Sequence, residues 1–155
     1  DTKPPEEVPD RRARHALAAR ALTYLPALRA SLRLDYRLYL DSWGMAAHTV
    51  ESALYKDLGD AFRLHIQARL YTQSAVSFWQ RVYAVTTSGQ IPRWRTIDRS
   101  LSPYDTITLG ARFEWNLAPV TLYLETAAMY TQFRDYLFLD ERLALIGQAG
   151  ARWSL

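Results

Sequence analysis

Cysteine is absent from the 155 residues. Its absence excludes a disulfide framework and any cysteine-based zinc or iron–sulfur site. It also suits a chain that crosses an oxidising compartment. Long apolar runs are missing too: none approaches the ~18 residues of a transmembrane helix. That excludes helical spans only, because a barrel strand needs about 5 outward apolar residues in 9–11. Glycine is scarce, with 6 residues. The nearest glycine stretch, TSGQ (87–90), lacks the spacing of a phosphate-binding loop. The three histidines, His15, His48 and His65, lie on different segments with no HxH or HExxH spacing, so no metal site is expected. A serine–histidine–aspartate grouping could be assembled across strands, but no motif marks one. Neither enzymatic activity nor a cofactor is assigned.

What the chain has is alternation. In LRASLRLDYRLYLD (28–41), Arg29, Ser31, Arg33, Asp35, Arg37, Tyr39 and Asp41 hold the odd positions, and leucines, Ala30 and Tyr36 the even ones. A strand sends successive side chains to opposite faces, so one face is apolar and the other charged. FRLHIQARLYTQ (62–73) repeats the pattern, with Arg63, His65, Gln67, Arg69 and Tyr71 opposite Phe62, Leu64, Ile66 and Leu70. It returns at 104–117, where Arg112 and Glu114 oppose Phe113 and Trp115, and at 120–131, where Glu125 opposes Leu124. HTVESALYKDL (48–58) alternates less cleanly, and 142–155 forms the last strand. Residues 11–25 suit a helix capped by Asp10 or a strand. The strand is preferred, because Pro26 then makes a tight turn into the next one. Residues 1–10 are polar and proline-rich, and read as a loop or tail. The longest loop is 80–103, which carries Arg93, Trp94, Arg95, Asp98 and Arg99. A loop of that length is functional or disordered. It would fold inward as a constriction, reach a ligand, or lie solvated on the surface, and an Asp98–arginine pair would order it.

Two kinds of sheet fit this pattern. A soluble sandwich or lipocalin-like binding module would turn its leucines inward; an outer-membrane barrel would turn them to lipid. Connection length favours the barrel. Short links (LPA, LGDA, NLAP) alternate with longer ones (41–45, 80–103, 134–141), as expected for periplasmic turns and extracellular loops. Strands of about 12–15 residues exceed the 5–6 usual in soluble sheets. Tyr24, Trp43, Trp79, Trp115, Tyr130 and Trp153 lie near strand ends, as an interfacial girdle would. The expected fold is therefore all-β, an antiparallel transmembrane β-barrel with about seven strands in this chain. An outer-membrane enzyme is a third possibility without a motif to support it.

The expected wet face carries Arg29, Arg33, Arg37, Arg63, Arg69, Arg112, Arg142 and Arg152, with Gln67 and the acids Asp35, Glu51, Glu114 and Glu125. A network bracing the strands is the preferred role, because acids are interspersed among the arginines. An anion-favouring channel wall and a sheath around a plug or partner are the alternatives. The arginines alternate with leucine and form no block, so nucleic acid is not an expected partner.

QAGARWSL (148–155) resembles the insertion signal of bacterial outer-membrane barrels at Gln148, Gly150, Trp153 and Leu155. That resemblance implies the barrel-assembly machinery as a partner, alongside the lipid bilayer and lipopolysaccharide. PDRRARHALAARALTYLPA (9–27), YRLYLDSWG (36–44), RLYTQSAVSFW (69–79) and DRSLSPYDTITLG (98–110) resemble an uncharacterised family of bacterial outer-membrane β-barrels, a domain of unknown function. The resemblance implies a barrel larger than this chain. Topology gives the same expectation. With the C-terminus periplasmic, seven strands place 1–10 outside, whereas bacterial barrels have even strand numbers. Upstream strands or a companion chain would complete the barrel. The start at Asp1, without a charged-then-apolar leader, is expected to be a processed or truncated end.

Overall fold

The computed structural model describes residues 5–83, 90–137 and 139–154. They form one antiparallel sheet of seven strands in sequence order. The strands are β1 (Arg14–Leu25), β2 (Ala30–Asp41), β3 (Ala46–Asp57), β4 (Phe62–Gln73), β5 (Tyr104–Leu117), β6 (Val120–Phe133) and β7 (Glu141–Trp153). Residues 11–25 thus give a strand and no helix, entered after three irregular residues. Leu25 and Ala30 pair across a single 3-10 turn, Pro26–Leu28, and Arg29 closes that turn in the left-handed region at φ 49°. The alternating stretch 28–41 therefore gives a shorter strand. Pro26 fixes the turn's first residue, and Arg29 leaves the wall for the turn.

Every consecutive pair of strands is hydrogen-bonded as a hairpin, but β1 and β7 do not pair, so the sheet is not closed into a barrel. Both edge strands are exposed along nearly their whole length. Connections sort by end. One end carries the links 26–29, 58–61 and 118–119; the other carries 42–45, 74–103, 134–140 and the N-terminal segment.

Register fixes the two faces. Arg20, Asp35, Glu51, Arg69 and Thr108 lie in one row across β1 to β5, all on the same side. The opposite side presents Leu34, Val50, Ile66, Leu109, Leu124 and Leu145. This apolar side is the exposed one: Leu109 is 58% and Leu145 77% accessible. The charged side holds most of the buried strand positions, among them Ala47, Ala53, Gln73, Thr131 and Phe133. No second layer of structure covers the apolar face among the described residues. The small apolar core sits off the sheet, at the long-loop end, where Met45, Val76 and Trp79 pack with Tyr39, Trp43, Phe78, Leu101 and Tyr136.

That core corrects part of the expected aromatic girdle. Trp79 is buried and donates its indole N–H to the Asp98 carbonyl at 3.1 Å. Trp43 packs edge-on against Phe78. Tyr24 shares its side with Ser31 and Arg33, because it pairs with Ser31 in register. Trp115, Tyr130 and Trp153 do lie on the apolar face, exposed.

Candidate functional site

The charged face has two regions. Its lower part, toward the short turns, is neutralised side chain by side chain. Asp35 takes Arg20 at 2.5 Å and Arg33 at 2.9 Å, and Arg33 also reaches Glu51 at 2.6 Å and the Tyr55 hydroxyl at 2.9 Å. Arg63 pairs with Asp57 at 2.7 Å. Arg112 pairs with Glu114 at 2.7 Å and Glu125 at 3.5 Å, with its guanidinium 4.2 Å from the Tyr123 ring centroid. Arg152 stands 4.0 Å from Glu114. All but the Arg152–Glu114 contact, which reaches from β7 across β6 to β5, link adjacent strands or positions two apart on one strand, so the chain of charges follows the ladder register. His65 stacks flat on Tyr55 within this region, with centroids 4.3 Å apart. Arg29 lines the hollow at the short-turn end with Asp57 and Arg63.

Two glycines on this face accommodate side chains from the neighbouring strand. Gln67 lies across Gly110, and Tyr123 across Gly150. A Cβ on Gly150 would fall 2.5 Å from the Tyr123 hydroxyl oxygen. Gln148 donates to that hydroxyl at 3.1 Å. Three of the expected insertion-signal residues are therefore placed: Gln148 and Gly150 seat Tyr123, and Trp153 is exposed on the apolar face. Leu155 lies outside the described residues.

The upper part, toward the long loop, is different. The stretch 74–103 leaves the ladder from Ser74, six residues earlier than the expected loop start. Ser77 N–H bonds to the Trp43 carbonyl at 2.8 Å, and Val76 N–H to that of Leu101 at 3.1 Å. These bonds turn the chain back over the sheet end. The N-terminal segment then ties the loop down. Glu7 and Arg95 exchange backbone bonds of 3.0 and 2.8 Å. Glu6 accepts the Thr96 hydroxyl at 3.1 Å and the Ile97 N–H at 3.0 Å. Arg95 also reaches the Glu7 carboxylate at 3.4 Å, and Arg93 does so at 3.8 Å while lying over the Trp94 ring. The expected Asp98–arginine pair is replaced by a cap: Asp98 accepts the Ser100 N–H at 2.8 Å. A 3-10 turn, Arg99–Leu101, follows it. Residues 84–89 of the loop lie outside the described residues.

Between this strap and the charged face lies a cleft of about 710 Å³. Arg69, Arg99 and Arg142 line it, together with Tyr71, Tyr104, Phe133 and Tyr136. A second hollow, about 430 Å³, shares Arg69 and adds Arg37. Among the described residues, no set of three histidine or acidic side chains converges as a metal site. The arrangement supplies arginine forks, aromatic faces and threonine hydroxyls, which are groups that bind and orient solutes.

No curated protein and no solved structure matches this chain. A family model does match, over residues 2–148. The chain belongs to that family, described as "Protein of unknown function (DUF3570)".

Proposed function

We propose that this chain is wall from an outer-membrane β-barrel of pore, transport or scaffold type. In this reading β1 and β7 pair with further strands of a longer protein or of a companion chain. The observation that carries the reading is the inverted burial of a single-layered sheet. Leu109 and Leu145 are exposed, whereas the face bearing Arg33, Glu51 and Arg112 is the better covered one. A soluble domain buries an apolar sheet face against a second layer. Lipid removes that requirement, and a wet interior suits the paired charges. Open edges are an aggregation hazard in a finished domain, so strands at both edges are expected.

The connections support an orientation. The short links would face the periplasm, with the end of β7. The strap, the cleft and the N-terminal segment would face outward, beside lipopolysaccharide. Assembly would fall to the barrel-assembly machinery. Arg37, Arg69 and Arg142 would tilt the interior toward anions.

The test uses the full chain as expressed in a Gram-negative host. Sedimentation with outer membranes, detergent partition and a boiling-dependent gel shift are the expected results. A chain that stays in the aqueous phase, with unshifted mobility, overturns the reading in favour of a binding module with a partner on its apolar face. Planar-bilayer conductance then separates pore from scaffold.

A further inference from the structure

Not every arginine of the charged face has a carboxylate; besides Arg14 at the start of the edge strand, three lack one. Arg37, Arg69 and Arg142 have no hydrogen-bond or ion-pair partner among the described residues, whereas Arg20, Arg33, Arg63 and Arg112 each have one. Register explains the case of Arg69. It stands directly opposite Glu51, but Arg33 takes that carboxylate at 2.6 Å. Its other neighbour is Thr108, which is neutral. Arg142 pairs in register with Thr131, whose hydroxyl is bonded to that of Thr106 at 3.0 Å.

Arg69 and Arg142 line the same 710 Å³ cleft from different strands, with Arg99 of the strap. The acids of that cleft, Glu6 and Asp98, accept bonds from neutral donors within the strap (Thr96 and Ile97, and Ser100), and neither forms an ion pair with Arg69, Arg99 or Arg142. The row Tyr71–Thr106–Thr131–Arg142 runs across four strands, so its ends stand roughly 14 Å apart at the usual strand spacing. Tyr71 and Tyr104 have ring centroids 5.5 Å apart. The cleft therefore offers an aromatic floor at one side and guanidinium groups at its flanks. Its volume lies within the range of small-molecule sites.

The geometry points to a binding site for a small organic oxyanion, a carboxylate or a phosphate ester. Arg69 and Arg142 hold its charge, and its ring or apolar body lies on Tyr71 and Tyr104. Arginine forks match either oxyanion bidentately. This site does not depend on what covers the apolar face, and its test is independent of membrane partition.

The experiment is calorimetric titration of the full chain in detergent micelles with 4-nitrobenzoate, 4-nitrophenyl phosphate and neutral 4-nitrobenzyl alcohol. At least one anion is expected to bind with a dissociation constant of about 1 mM or tighter. The alcohol is expected to bind at least about tenfold more weakly, as the loss of charge-assisted hydrogen bonds implies. The two anions tell a carboxylate site from a phosphate site. Arg69→Gln with Arg142→Gln is expected to cost about tenfold or more, and Arg63→Gln, at the short-turn end, to cost nothing. Thr108→Glu, which places a carboxylate opposite Arg69 without removing an arginine, is expected to cost a similar factor. It keeps the test valid should the double variant misfold. Anions that bind no better than the alcohol, or that keep their affinity in the Thr108→Glu chain, overturn the site.

Discussion

Arg12 and Asp41 form a fork across the long-loop end, with the guanidinium Nε and Nη2 at 2.8 and 2.5 Å from one carboxylate oxygen. The Asp41 side chain is fully covered. Its second oxygen accepts the N–H groups of Trp43 and Met45 at 2.9 and 3.0 Å, and Tyr39 donates its hydroxyl to the oxygen that Arg12 holds, at 3.0 Å. Arg12 in turn lies 4.4 Å from the Trp43 ring centroid. One carboxylate thus sets the 42–45 turn and anchors the segment before β1. Gly44, at φ 85°, lets that turn close against Ser77.

Asp41→Ala would leave a covered guanidinium and two backbone N–H groups without acceptors. It is expected to destabilise the chain by about 3 kcal/mol. Arg12→Ala should cost less, because Asp41 keeps its other three donors. A denaturation series on the two single variants and the double variant checks this. A coupling energy near zero would show that the fork contributes nothing.

The strap should respond to its N-terminal clamp. Glu6→Ala removes the acceptor of both the Thr96 hydroxyl and the Ile97 N–H. A loss of ~1 kcal/mol in local opening corresponds to about fivefold faster trypsin cleavage after Arg93 and Arg95. Cleavage at an unchanged rate would mean that the Glu7–Arg95 backbone bridge holds the strap alone.

The two tight glycines should differ. At Gly110 the obstacle is the flexible end of Gln67; at Gly150 it is the Tyr123 ring. Gly150→Ala is expected to cost about 1–3 kcal/mol by overpacking, and Gly110→Ala less. Tyr123→Ala should relieve most of the Gly150→Ala cost in the double variant. Equal costs in both backgrounds would assign the effect to the backbone.

Period-two alternation made the strands legible, because side-chain parity is a local property. It gave the charged and apolar faces in β2, β4, β5 and β6, and the sorting of connections by length. It did not reveal which arginine takes which acid. Arg33 and Arg69 have the same parity and both neighbour Glu51; only side-chain geometry across the β2–β3–β4 ladder decides that Arg33 holds it. Irregular chain was the other blind spot. Trp79 resembles a girdle residue at the end of an apolar stretch, but its burial depends on Met45 and Leu101, both distant in sequence. The contact of Glu6 with Thr96 spans 90 positions, and no periodic signal encodes it. For Tyr24 parity is informative, because it shares its side with Arg20 and Arg14 along β1.

Adjacent residues of β7 provide the sharpest test of what the apolar face meets. Leu145 points to the apolar side and is 77% accessible, whereas Ala144 points to the charged side. In water, lysine at either position of an exposed edge strand is a surface substitution worth about 0.5 kcal/mol or less. In a bilayer the two separate. Leu145→Lys puts an ammonium group against hydrocarbon and is expected to cost about 2–4 kcal/mol near the midplane. Ala144→Lys faces the wet side and should cost far less. Folding free energies of the full chain in phosphatidylcholine vesicles, from reversible denaturant titration, give the comparison. A difference above ~2 kcal/mol between the two variants fits a lipid-facing Leu145. Equal costs would mean that neither side of β7 meets hydrocarbon, and the barrel reading would fall with that result.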